Sequence, residues 1–277
     1  MASHDDIDGK KARVARTIRN DIEAGVLRDG EALPSTRALA EQMDVSVFTI
    51  NEAMKLLSAE GLIENQSRSR RVVRSGVVRP AARTGRPPHA FLVGGYAGSG
   101  KSEFGRVLSR LTGAPIIDKD TITRPVVETA LEVMGLPPHD RDSEVYLERV
   151  RPREYEALID ATLENAEVGV GPIVTAPFVR EFGDKAWIER VTTQLRTRGV
   201  GVTLVWVDCD VETMHTYLRR RGAARDSIKL GDWDGYLSKI NVDFRPKAEH
   251  LVINNSASSE PLQAQAMRLL ANVVEHA

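Results

Sequence analysis

The sequence predicts an α/β protein of two domains, an N-terminal winged helix-turn-helix and a C-terminal P-loop α/β sandwich with a mostly parallel five-stranded sheet. Three observations predict it. Residues Gly95-Tyr96-Ala97-Gly98-Ser99-Gly100-Lys101-Ser102 match G-x-x-x-x-G-K-[ST] at every fixed position. From Ala90 onward, apolar runs of strand type alternate with helical patterns, the signature of a parallel sheet covered on both faces. Ahead of them, three amphipathic segments with a tight turn between the second and third precede a β-type stretch.

The glycine loop has the flanks such a loop requires. Ala90 to Gly94 is a short apolar run, and from Ser102 the residues Phe104, Val107, Leu108 and Leu111 recur at helical spacing. Strand, loop and helix in that order let backbone N–H groups turn inward around a phosphate. The new helix points its positive end at the same anion, and Lys101 adds a mobile charge. Gly95, Gly98, Ser99, Gly100, Lys101 and Ser102 are therefore the candidate nucleotide-binding residues, with the Ser102 hydroxyl a ligand for Mg²⁺.

With 277 residues, 42% hydrophobic and 28% charged, the chain is long enough for two cores. Its longest mostly apolar stretch, Val168 to Val179, contains glycine and proline and is shorter than the roughly 18 residues of a membrane helix. No membrane partner is expected. The acidic start, Met1 to Asp8, lacks the basic-then-apolar order of a secretory signal, and a lone Cys209 excludes an internal disulfide. A cytoplasmic location is the expectation. The net charge of -1 conceals an uneven distribution: Met1 to His89 holds 15 Lys+Arg against 12 Asp+Glu, and the remainder 23 against 27. Between Glu64 and Pro88, seven arginines face one acid.

In the first domain, Val14, Ile18 and Ile22 lie four apart on a helix ending near Gly25. Ser35 caps a second helix that buries Leu39, Ala40 and Met43. Asp44-Val45-Ser46 makes the turn, Ser46 caps a third helix carrying Ile50, Ala53, Met54 and Leu57, and Gly61 ends it. Leu62 to Val73 is the expected two-stranded wing.

Leu33-Pro34-Ser35-Thr36-Arg37-Ala38-Leu39-Ala40, Val45-Ser46, Thr49-Ile50-Asn51-Glu52-Ala53 and Leu57 to Leu62 resemble the winged helix-turn-helix of GntR-type transcriptional regulators. The resemblance covers about Lys11 to Val73 and implies a double-stranded DNA operator. It places the DNA contacts on Arg37 in the second helix, on Ser46, Thr49 and Asn51 at the start of the third, and on Arg68, Arg70 and Arg71 in the wing. Family members usually carry arginine where this chain has Val47 and Asn51, and glycine where it has Ser67 and Ser69. A different operator or a modest affinity follows, with Asn51 still able to read adenine and the arginine-rich wing adding salt-dependent attraction to phosphate. A twofold operator makes a homodimer the default.

The domains are read as 10–75, a basic linker 76–89 containing Pro80, Gly85, Pro87 and Pro88, and 90–277. Strands are expected at Phe91 to Gly95, Pro115 to Asp118, Pro172 to Ala176, Val202 to Asp208 and His250 to Asn254. The second ends in Asp118-Lys119-Asp120, two carboxylates at a carboxyl edge, where ligands of open α/β sheets collect. One could hold Mg²⁺ and the other accept a proton from an attacking hydroxyl. Alternatively, Asp120 is the N-cap of the next helix and Asp118 a loop residue. Asp210 reads as the N-cap of the helix beginning at Val211.

The loop, the Asp-x-Asp and the segment Arg219 to Asp226 together resemble the small P-loop kinases that include gluconate kinase, chloramphenicol phosphotransferase and zeta toxins. That resemblance covers about Ala90 to Ala277. It implies ATP and Mg²⁺ as cofactors, with Lys101 and Asp120 catalytic, Asp118 near the metal and Arg124 on a small-molecule acceptor. It also implies Arg221 and Arg225 as lid residues, and a loop at Asn255 beside the adenine. The segment Gly135 to Arg153 has no assigned counterpart and is either a substrate-specific insertion, with Arg149 a candidate substrate ligand, or a solvated loop and helix. Two functions stay open: a DNA-binding regulator whose ATP-binding domain is the sensor, or a small-molecule kinase whose winged helix is autoregulatory.

Overall fold

The computed structural model describes residues 4–23, 27, 29–66, 70–74, 88–221 and 226–275, with no description of the side chains at 4–9, 13, 16, 20, 23, 220, 221, 227, 228, 274 and 275. It divides into two units, Met1–Arg83 and Thr84–Ala277. Of the segment expected as a linker, 76–89, all but the last two residues lie outside the described part.

The first unit contains helices α1 (His4–Glu23), α2 (Thr36–Gln42) and α3 (Val47–Ala59), then a hairpin of β1 (Ile63–Asn65) and β2 (Arg71–Val73). Caps set the helix starts. Ser35 Oγ accepts the Ala38 N–H at 3.2 Å, and Ser46 Oγ accepts the Thr49 N–H at 3.0 Å. Asp44 turns the chain between α2 and α3 at φ 51°, a left-handed conformation that aspartate tolerates better than most residues. The core is Val14, Ile18 and Ile22 of α1 against Ile50, Ala53 and Leu57 of α3, closed by Ile63 and Val73 of the hairpin. β1 and β2 pair antiparallel, Ile63 opposite Val73, and Ala32 bridges to Val72. Apolar periodicity reports only the stretch of α1 that packs on this core. The helix itself begins ten residues before Val14.

The second unit is a parallel sheet of five strands in the order β4 (Ile116–Asp118), β5 (Ile173–Thr175), β3 (His89–Gly94), β6 (Gly201–Asp208), β7 (Leu251–Asn254). Alternate residues serve opposite faces. Phe91, Val93, Val205 and Val207 pack under Phe104 and Leu108 of α4 (Lys101–Thr112) and Ala266 and Leu269 of α12 (Leu262–Glu275). Ala90, Leu92, Leu204 and Trp206 pack under Tyr155 and Leu158 of α6 (Arg151–Glu167) and Ile188, Val191 and Leu195 of α8 (Lys185–Thr197). Two buried faces explain why these strands read as nearly continuous apolar runs. Helices α5 (Lys119–Val133) and α9 (Val211–Arg221) flank the carboxyl edge.

Several short elements escape sequence periodicity because each is too brief to show a period: α7 (Val179–Phe182), α10 (Ser227–Gly231), α11 (Trp233–Lys239) and a π-helical turn at Tyr146–Val150 that runs into α6.

Candidate nucleotide site and nucleic-acid interface

Because all five strands are parallel, their carboxyl ends share one edge, where Asp118, Thr175, Gly94, Asp208 and Asn254 stand in that spatial order. The glycine loop leaves β3 in the middle of it. Gly98 and Gly100 hold φ +85° and +86°, and both are sterically required. A Cβ on Gly100 would sit 2.0 Å from Asn255 Nδ2, and one on Gly98 would sit 2.7 Å from the Met214 carbonyl oxygen. Gly95 N–H donates to the Pro177 carbonyl, and Ser99 N–H to that of Tyr96. The turn so formed ends in Gly100, which caps α4 with no side-chain hydrogen bond. The α4 dipole therefore points its positive end at this turn.

Lys101 is 9% exposed, and its Nζ lies 3.5 Å from the Tyr96 carbonyl oxygen. Ser102 Oγ donates to Asp118 Oδ2 at 3.1 Å, and Thr175 Oγ1 donates to the same oxygen at 2.6 Å. Asp118 Oδ1 accepts the Thr121 N–H at 3.1 Å, so Asp118 is the N-cap of α5. The alternative in which Asp120 is the cap and Asp118 a loop residue is corrected: the cap falls two residues earlier, and α5 starts at Lys119. That leaves the Asp120 carboxylate on the first turn, lining a cavity of about 460 Å³ together with Gly98, Gly100, Lys101, Ser102 and Asp118. Thr121 and Arg124 line it as well, and Glu103, Arg106 and Tyr217 complete it. Arg106 was legible in principle, standing one turn beyond Ser102 on α4. Tyr217, from a helix distant in sequence, carried no signal.

Hard oxygen donors suit this place. Asp118 and Ser102 offer a carboxylate and a hydroxyl side by side, as Mg²⁺ prefers. Among the described residues no three His, Cys, Asp or Glu converge as a metal cage, so such a cation would complete its shell with water and phosphate oxygens. Ser99 Oγ, 1% exposed, has no hydrogen-bond partner among the described residues.

Other expected residues fall differently. Asn255 is buried and its Nδ2 donates to the Ser99 carbonyl at 2.9 Å, which makes it a buttress of the loop. Arg149 is exposed on the π-helical turn and is not among the residues lining the cavity. Arg225 and the side chain of Arg221 lie outside the described residues. Asp210 caps α9 as expected, accepting the Thr213 N–H at 2.7 Å, and this bond holds its carboxyl below the ordinary range. Burial, then Asp210 and Asp208, push the Cys209 thiol up to about 12, which disfavours its thiolate.

Behind the cavity lies a polar cluster that sequence reasoning missed. Lys119, 4% exposed, pairs with Glu154 at 2.7 Å and with Asp120 at 3.2 Å. Glu154 also accepts from Thr123 Oγ1 at 2.9 Å and from Tyr146 OH at 2.6 Å. Burial, reinforced by Glu154, pushes the Tyr146 phenol well above its ordinary value. Arg151 makes a two-pronged bond to Glu181 and lies over the Tyr155 ring. The segment 135–153 thus feeds Tyr146 and Arg151 into the domain interior, while Arg149 stays outside.

In the first unit, α3 follows α2 by a tight turn, the arrangement that sets a recognition helix in a major groove. Arg37 is exposed at the start of α2, and Ser46 and Arg70 are exposed as well. Three expected DNA contacts are engaged within the fold. Thr49 is 4% exposed and its hydroxyl bonds that of Ser46. Arg71 donates to Thr36 Oγ1 at 2.7 Å, Asn51 Oδ1 at 3.0 Å and Asn65 Oδ1 at 3.3 Å, so Arg71 and Asn51 tie the wing to α2 and α3. Arg68 lies outside the described residues.

Fold and site together define a winged-helix protein that carries a P-loop, kinase-like α/β domain, a nucleotide-binding class of fold. The chain belongs to the family described as AAA domain, whose model matches residues 91–242, more than half its length. Residues 10–73 match the bacterial regulatory proteins, gntR family. Both resemblances read from the motifs are borne out. Curated relatives match a minor part of the chain. The vitamin B6 salvage pathway transcriptional repressor PtsJ of Salmonella typhimurium is 38% identical over 87 residues, 31% of this chain and 20% of that protein. The HTH-type transcriptional regulator Mce2R of Mycobacterium tuberculosis is 49% identical over 51 residues, 18% of this chain and 21% of that protein. The chain therefore spans about a fifth of the length of these relatives. Among solved structures, a gluconokinase from Sinorhizobium meliloti 1021 is 17% identical with a TM-score of 0.45, covering 69% of this chain and 96% of that one. Among the described residues, no helix is long and apolar enough to cross a membrane.

Proposed function

We propose that this protein is a DNA-binding transcriptional regulator of GntR type whose P-loop domain binds ATP with Mg²⁺ and makes operator affinity depend on nucleotide. The observation that carries the reading is the Ser102–Asp118–Thr175 triangle at the foot of a helix whose first-turn N–H groups lack a side-chain cap. First-turn amides and Lys101 would bind the β- and γ-phosphates, and Asp118 and Ser102 would hold the cation, directly or through water. When bound, that cation neutralises charge on the phosphate oxygens. Lys101, Ser102 and Asp118 line one cavity. A winged helix on the same chain supplies the output, with operator DNA bound as a homodimer.

Gel-shift titration of the full chain against its upstream DNA, with and without ATP and Mg²⁺, tests the reading. A changed affinity that Lys101→Ala abolishes supports it, and an affinity indifferent to nucleotide removes ATP as effector. Asp120, Thr121 and Arg124, which line the same cavity, favour a second reading, phosphoryl transfer to a hydroxyl acceptor held by Arg124, with Asp120 taking the proton. ADP release that requires an added hydroxylated metabolite, and that Asp120→Asn removes, would establish it.

A further inference from the structure

The first turn of α3 is apolar where a reading head is ordinarily polar. Val47 is 47% exposed and Phe48, the single Phe, Tyr or Trp of residues 1–83, is 60% exposed. Neither packs into the core of Ile50, Ala53, Met54 and Leu57 on the opposite face. The polar groups around them are already engaged: Ser46 Oγ caps the helix and meets the Thr49 hydroxyl, and Asn51 Oδ1 accepts from Arg71. One turn further on, Glu52 pairs with Lys55 at 2.7 Å. This leaves an aliphatic and an aromatic side chain at the helix end that a helix-turn-helix presents to base edges. Exposed Arg37 and Arg70, on a unit whose residues 1–83 hold 14 basic against 12 acidic side chains, suit a phosphate-bearing partner.

We propose that Phe48 and Val47 read thymine C5-methyl groups in the major groove, so that operator choice at these positions rests on apolar contact. The proposal rests on the DNA-binding reading above and adds its specificity. In the major groove the thymine methyl is the one apolar feature that distinguishes a base pair, and phenylalanine is among its known kinds of contact. With no guanidinium at position 47 or 51, bidentate reading of guanine is not available from this turn, and the Asn51 oxygen that would accept from adenine is held by Arg71.

The test uses the full chain and a duplex selected by it from a random-sequence library. Each thymine is then replaced in turn by deoxyuridine, which removes the methyl and keeps the base pairing. Fluorescence anisotropy is expected to show binding weakened about 3- to 10-fold at one or two thymines per half-site, and Phe48→Ala is expected to lose that discrimination. Phe48 touches no phosphate in this proposal. Phe48→Ala therefore keeps the wild-type slope of log affinity against log salt, whereas Arg37→Ala lowers it by about one. Because Phe48 is exposed, its variant is expected to melt as the wild type does, and Val47→Ala is a second, milder probe. Equal binding of thymine and uracil duplexes by the wild type overturns the proposal while leaving the regulator reading intact. Failure to bind any duplex overturns both. A change of sedimentation coefficient in Phe48→Ala reassigns the patch to a contact between protein chains and likewise overturns it.

Discussion

Lys101 lies nearly buried across the mouth of the loop, with Nζ near the Tyr96 carbonyl, so it already sits inside the turn that would receive phosphate. Hydrogen bonds to charged groups contribute about 1.5–3 kcal/mol, so Lys101→Ala is expected to weaken ATP binding roughly 10- to 150-fold in calorimetry. Melting of the ligand-free protein should move little by comparison, and equal ATP affinity in the variant would remove Lys101 from the site. His89, at the other end of β3, carries a pH prediction. Burial lowers its pKa from 6.5 to about 4, and its Nε2 bonds Thr203 Oγ1 at 2.8 Å. Between those values the unfolded chain binds a proton that the folded unit excludes, so stability falls as pH drops from about 6.5 to 4 and levels off below. Thermal melts across that window should show a steeper loss for wild type than for His89→Asn, and parallel curves would count against it.

At the scale of elements, two polar clusters join pieces that apolar packing alone would leave loosely registered. Arg71 binds α2, α3 and β1 through Thr36, Asn51 and Asn65. Arg71→Ala is expected to destabilise the first unit by about 1–3 kcal/mol in chemical denaturation, with its salt slope on DNA unchanged. A lowered slope at unaltered stability would instead make Arg71 a phosphate contact. Glu154 joins α6 to α5 through Lys119 and Thr123, and to the π-helical turn through Tyr146. Glu154→Ala would strand the Lys119 ammonium in the interior, at a cost of about 3–5 kcal/mol measurable as a loss of stability in the second unit. If the domain transfers phosphate as the second reading proposes, the variant should also slow that transfer, because Lys119 pairs with Asp120.

For the whole molecule, coupling between nucleotide and operator must be reciprocal. If ATP with Mg²⁺ changes operator affinity by some factor, operator DNA changes ATP affinity by the same factor, since both are one coupling free energy. Calorimetric ATP titrations with and without operator duplex should therefore reproduce the ratio found by gel shift. A ratio of one from calorimetry beside a large gel-shift effect would show that ATP acts through phosphoryl transfer or assembly rather than through linkage. Couplings of this kind are typically about 1–3 kcal/mol.

By itself the sequence determined both folds, because each is written in local spacing: Ser35 and Ser46 ahead of apolar periodicity, glycines at 95, 98 and 100 before Lys101, and strands closing on Asp118 and Asp208. Loop glycines were legible for the same reason, since their backbone angles are a local requirement. What only the tertiary structure decided is which polar side chains face outward. Asn51, Arg71, Thr49 and Asn255 looked available in one dimension, and each is taken up by a partner distant in the chain or buried at a helix start. Lys119 and Glu154, 35 positions apart, carried no mark of their pairing. Hydrogen bonds between elements depend on how those elements pack, and packing is a property of the assembled core that no stretch of residues contains.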